Sequence, residues 1–226
     1  GRFPRRVPVP VMRPPLAGCL PTGAELVAGA RVVVFPDTGG VADAVTGLLA
    51  EREVEVLRIE GTPTRDELEA TLAGWLEIGP ITGVLWLAAL DQVDVATLDP
   101  TSWVAALHVR VKLLATTMRA LYDTMTAGRF LVTGVRLGGH FGYDAAGAQD
   151  ALGGATSGFT KALARERADA TVKVVDVATA APAVREYAEV LDVTFGPVSS
   201  DDAWQQGINF YLNAIRDVDR HVEVVL

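Results

Sequence analysis

The sequence is poor in the residues that build metal clusters and disulfides. It has one cysteine, Cys19, among 226 residues, so no intrachain disulfide and no Cys-based metal cluster can form. Cys19 reads as a plain linker or core thiol. The three histidines, His108, His140 and His221, lie far apart and show no ligand spacing, which argues against zinc. No run approaches the ~18 consecutive apolar residues of a membrane span, although half the residues are apolar. Gly1 to Pro15 carries Arg2, Arg5, Arg6 and Arg13 without an apolar stretch behind them, unlike a secretory signal. A cytoplasmic location is expected. Basic charge is also short: the net charge of −8 opposes nucleic-acid binding, which needs a basic footprint. The small clusters Arg5-Arg6 and Arg165-Glu166-Arg167 read as solvated faces.

Proline is unevenly spread. Residues 1–22 hold Pro4, Pro8, Pro10, Pro14, Pro15 and Pro21, a density that favours extended backbone and suits a connector from something upstream. We expect a Pro-rich linker over 1–22 and one domain over 23–226, excised from a longer polypeptide.

Within that domain apolar runs alternate with helical stripes. Arg31-Val-Val-Val-Phe35 reads as a buried strand closed by the turn Pro36-Asp37-Thr38-Gly39-Gly40. Val41, Val45, Leu48 and Leu49 follow at helical spacing as far as Glu51-Arg52. Glu53 to Ile59 is a second strand. The capping box Thr64-Arg-Asp-Glu67 opens a helix with Leu68, Leu72, Trp75 and Leu76 on one face. Gly83 to Ala88 is a third strand. A long helix capped at Thr101-Ser102 presents Trp103, Leu107, Val111, Leu114, Met118, Leu121 and Met125. Arg129 to Thr133 is a fourth strand, 149–166 a helix and Val172 to Val177 a fifth strand. A last helix carries Trp204, Ile208, Leu212 and Ile215, and His221 to Leu226 closes as a sixth strand. This alternation implies an α/β domain, doubly wound and Rossmann-like, with a mainly parallel sheet of about six strands.

Ligands in such sheets bind beyond the carboxyl ends of the strands. Phe35 to Arg52 resembles the nucleotide loop and first helix of short-chain dehydrogenases/reductases, which run Thr-Gly-Gly-x-Gly-Gly-Ile-Gly. Against that pattern Pro36 and Asp37 replace the first glycines and Ala42 the last, while Gly39 and Gly40 survive. A Gly-Gly turn also serves as an ordinary tight strand–helix turn. Proline lacks a backbone donor. An Asp37 carboxylate ~5 Å from a phosphate charge would be repelled by about 3 kcal/mol per charge pair.

Further along, Trp103 to Arg110 resembles the family's helix that ends in a catalytic asparagine, with Arg110 in that place. Phe130-Leu-Val-Thr-Gly134 resembles the strand to the catalytic serine, which falls on Gly134. Leu152 to Glu166 resembles the Tyr-x-x-x-Lys helix, placing Gln149 at the tyrosine and Gly153 at the lysine. Glutamine cannot act as the acid that protonates a carbonyl as hydride arrives, and glycine supplies no ammonium. The serine, tyrosine and lysine roles are vacant. The Pro-Gly expected after the later strand is absent from Val177 to Pro182. Only one βα unit, Glu53 to Pro80, stands where a full reductase has two, and the missing one normally helps build the adenosine pocket.

Taken together, these segments resemble the structural subdomain of a ketoreductase in a type I polyketide or polyunsaturated-fatty-acid synthase. The resemblance implies a non-catalytic unit with no cofactor or metal of its own. It also implies a partner catalytic ketoreductase subdomain holding NADPH, with neighbouring synthase domains. Two other readings stay open. An active NADPH-dependent ketoreductase could pair Tyr143 with Lys112, since modular-synthase ketoreductases exchange the lysine and asparagine positions. A dinucleotide-sensing module without turnover is the third. By default Tyr143 and Lys112 are packing or surface groups.

Overall fold

The computed structural model describes residues 23–143 and 145–177. The Pro-rich segment with Cys19, the expected helix carrying Trp204 and the expected strand 221–226 lie outside the described residues. Five strands form one parallel sheet in the order β2-β1-β3-β4-β5: β1 Arg31–Phe35, β2 Glu55–Arg58, β3 Gly83–Ala89, β4 Phe130–Val135 and β5 Thr171–Asp176. β1, β3 and β4 are buried along their whole length, as expected of parallel strands covered on both faces.

Helices α1 (Val41–Glu51), α2 (Arg65–Ile78), α3 (Pro100–Leu107), α4 (Leu113–Ala120) and α5 (Gly153–Glu166) connect the strands. On one face Val41, Val45 and Leu49 of α1 pack on Val32, Val34, Leu85, Leu87 and Val132. On the other, Leu68 and Leu72 of α2, Leu114 and Met118 of α4 and Leu163 of α5 close over Val33, Val84, Trp86 and Leu131. The alternation of side chains along each strand assigns the two sets. Trp86 stacks on Phe35 with ring centroids 4.2 Å apart.

Several boundaries differ from the sequence reading. The second strand is shorter because Glu53 has φ 56° and belongs to the turn after α1, where its N–H donates to the Ala50 carbonyl at 2.9 Å. Thr64 and Glu67 form the expected reciprocal capping box. The cap of the third helix, however, is Asp99, whose carboxylate accepts the Ser102 N–H at 2.7 Å, with Pro100 in the first turn. That helix is also not continuous. A π-turn over His108–Lys112 separates α3 from α4, and α4 ends at Ala120, so Leu121 and Met125 join the core from a following turn. A π-turn widens the backbone ladder. Side chains meet two of its carbonyls: Trp86 Nε1 donates to Val109 at 3.0 Å and Thr156 Oγ1 to Arg110 at 3.1 Å.

One βα unit, β2–α2, lies between α1 and β3, as the spacing implied. β2 therefore forms an edge among the described residues, pairing only with β1. Charge blunts that edge: Arg31 pairs with Glu55 at 2.9 Å and Arg58 with Asp43 at 2.8 Å. Charged edges discourage pairing with further strands.

Candidate functional site

Parallel strands point all their carboxyl ends to one side of the sheet, and the chain places charge there strand by strand. Asp37 follows β1 by two residues, Asp91 follows β3 by two, Arg136 directly follows β4, and Asp176 ends β5.

Asp37 is buried. Its Oδ1 accepts the Ala42 N–H at 2.7 Å and its Oδ2 the Val41 N–H at 3.1 Å. These donors open α1, where an anion is favoured by exposed N–H groups and the helix dipole. Both of these donors are thus met by a carboxylate of the chain itself. The carboxylate that the sequence reading set against a phosphate accepts backbone donors here. Gly39 makes room for it, because a Cβ there would lie 3.0 Å from Asp37 Oδ2. Gly40 supplies the left-handed turn into the helix, at φ 91°, where a side chain would be strained. Asp91 fixes the same turn from β3, accepting the Thr38 N–H at 2.8 Å and the Thr38 hydroxyl at 2.9 Å.

The positions matching the catalytic groups lie around the end of β4. Gly134 is inside β4, and a Cβ there would come within 2.9 Å of Leu90 Cγ. Leu90 therefore occupies the space a serine side chain would enter. Its neighbour Thr133 is buried and shares a 3.0 Å hydrogen bond with Thr160 of α5. Gly153 begins α5 and is buried against Val135 and Leu137, 3.4–3.5 Å from its Cβ position. Gln149 is exposed and precedes α5, which starts four residues later than the expected helix 149–166. The intervening residues turn instead, held by Asp150, which accepts the Leu152 N–H at 3.0 Å while its own N–H donates to the Arg136 carbonyl at 3.2 Å.

Arg110 is buried at 3 % exposure. It donates from Nη2 to the Asp91 carbonyl and stands 3.6 Å from Asp150 Oδ2. The structure therefore brings Arg110, Gly134 and Gly153 to one region. Asp91, Arg136, Asp150 and Asp176 complete it, and sequence reading missed all four. The available signal was an acid at or just beyond the ends of β1, β3 and β5. Tyr143 and Lys112 are both exposed, and no hydrogen bond or ion pair joins them among the described residues.

Asp176 closes the loop after β4. Its Oδ1 accepts the Leu137 N–H at 2.5 Å and its Oδ2 the Phe141 N–H at 2.7 Å. Burial raises the carboxyl pKa above its ordinary value despite these donors, which favour the charged form. Burial likewise raises Asp150, with Arg110 and then Arg136 among the opposing influences.

No protein-family model matches the chain, and no curated protein does. Solved structures do resemble it. A short chain dehydrogenase from Shigella flexneri, solved with NADP, superposes with a TM-score of 0.57 at 15% identity, over 80% of this chain and 95% of that one. A 3-ketoacyl-(acyl-carrier-protein) reductase from Brucella melitensis, solved with NADH, gives 0.53 at 14% identity, over 65% and 74%. A glucose/ribitol-type short-chain dehydrogenase/reductase from Brucella melitensis gives 0.50 at 19% identity, over 70% and 77%. These similarities establish a Rossmann-like fold of the short-chain dehydrogenase/reductase type.

Proposed function

We propose that this domain is a non-catalytic structural subdomain supporting a β-ketoacyl-reducing ketoreductase within a cytoplasmic polyketide or fatty-acid multienzyme synthase. The observation that carries the reading is Asp37, whose carboxylate occupies both donors at the start of α1. Displacing it by a pyrophosphate would strip a buried carboxylate of its hydrogen bonds and set two anions against one helix end. Leu90 over Gly134 and the sequestered Arg110 extend the same pattern to the chemical end of the site. NADPH and the acid-base groups then belong to a separate catalytic subdomain.

Such a partner packs on this unit, and α3 offers apolar surface for it. Trp103 and Val104 are exposed at 39% and 55%, and Ala106 is the one buried residue of that helix. Co-expression with a catalytic ketoreductase subdomain is the test. The reading requires a higher melting temperature and slower amide exchange over 100–107. Unchanged stability and unchanged exchange would contradict the support role.

A further inference from the structure

Arg110 stands in the π-turn between α3 and α4, buried, and its contacts lead outward to β3 and to α5. Nη2 donates to the carbonyl of Asp91, just beyond β3. The guanidinium lies 3.6 Å from Oδ2 of Asp150, in the turn before α5, and the Arg110 carbonyl accepts Thr156 Oγ1 of α5 at 3.1 Å. Each acid carries the contact onward. The Asp91 carboxylate holds the turn after β1, accepting the Thr38 N–H at 2.8 Å and the Thr38 hydroxyl at 2.9 Å. Asp150 holds the start of α5, accepting the Leu152 N–H at 3.0 Å. A single buried side chain thus stands between the turn 36–40 and the first residues of α5.

Asp150 is fully buried and its Oδ2 has no hydrogen-bond partner, so it relies on the charge of Arg110 beside it. Parting a buried ion pair leaves an uncompensated charge and is costly, whereas exposed pairs separate freely. Joint movement of Arg110 and Asp150 avoids that cost. We propose that Arg110 is a positioning residue that couples the β1–α1 turn to the start of α5, along the path Thr38–Asp91–Arg110–Asp150–Leu152. A molecule or partner domain that displaces either end shifts the other, and the effect is reciprocal. The coupling holds whether or not the domain is catalytic.

The test is amide hydrogen exchange of the full chain, followed residue by residue by NMR. In Arg110→Met, which keeps the stem and removes the charge, the Thr38 and Leu152 amides should both exchange faster. The expected factor is about tenfold or more, as for loss of a charged donor. Leu68 and Leu72 of α2, which lie off the path, should keep their rates. Arg110→Lys, which retains a charge beside Asp150, should return both sites toward the wild-type rates. Wild-type exchange at either Thr38 or Leu152 in Arg110→Met would overturn the coupling. So would equal acceleration at Leu68 and Leu72, which reports general loosening, or an Arg110→Lys protein exchanging as fast as Arg110→Met. Should Arg110→Met fail to fold, Asp91→Ala decides from the far end. Leu152 should then exchange about threefold faster or more, and an unchanged Leu152 rate would overturn the link.

Discussion

The Asp37 carboxylate accepts the Ala42 N–H at 2.7 Å, so the helix after the first strand begins on an anion from its own chain. Asp37→Ala should expose two helix-terminal donors and cost about 1–2 kcal/mol, as removal of a good cap does. Urea unfolding would show the lowered midpoint. Asp37→Asn, which keeps one acceptor oxygen, should lose less. Equal stability of Asp37→Ala and wild type would mean that the cap contributes nothing.

Gly134→Ser restores the residue type of a reductase without restoring its space. Its Cβ would approach Leu90 Cγ to 2.9 Å, and overpacking of this kind costs about 1–3 kcal/mol. Adding Leu90→Ala should recover part of that loss when the two changes are combined in a double-mutant cycle. Thermal unfolding of the four proteins measures it; strictly additive losses would contradict the packing argument.

Tyr143→Phe and Lys112→Ala should leave the turnover of any larger parent enzyme nearly unchanged, because both side chains are exposed and no bond joins them. Steady-state kinetics of the parent with each substitution is the check. A fall of ~100-fold or more, the scale of a lost general acid, would assign them a catalytic role.

How much of this was legible depended on whether the information was local. β1 and the Thr64–Glu67 box rest on near neighbours, and both lie where the sequence reading placed them. The interruption of the long helix does not. Its π-turn is held by Trp86 from β3 and Thr156 from α5, contacts that no periodicity in 101–125 encodes. The late start of α5 has the same origin, since Asp150 answers to Arg110 and to the Arg136 backbone. In the site, glycine at 134 and 153 was readable, but the packing of Leu90 against one and of Leu137 against the other was not. The sequence also indicated that Asp37 conflicts with a phosphate. That its carboxylate accepts the first N–H groups of α1 required the fold.

Stability should rise on mild acidification. Burial raises the carboxyl pKa of Asp150 and of Asp176 above the unfolded value. Between the unfolded pKa, ~4, and the raised folded pKa, the native state binds more protons, so its stability increases as pH falls. Glu67, Glu69 and Asp99 act oppositely. Their hydrogen bonds, with Thr64, Arg65 and Ser102 respectively, lower their pKa values, and their stabilisation is lost as pH falls through those lowered values. Urea midpoints should therefore climb as pH falls through the raised values toward the unfolded carboxylate pKa, ~4, and drop below it. Asp150→Asn should flatten the climb. A midpoint that falls steadily from neutrality would contradict this assignment.

The central claim, that the chain fills its own nucleotide site, is tested most directly by calorimetric titration of the isolated protein with NADPH. The account predicts no binding heat at physiological cofactor concentration, because Asp37 already holds the donors of Val41 and Ala42. A dissociation constant of about 1–10 μM, within the range of working enzymes, would contradict it.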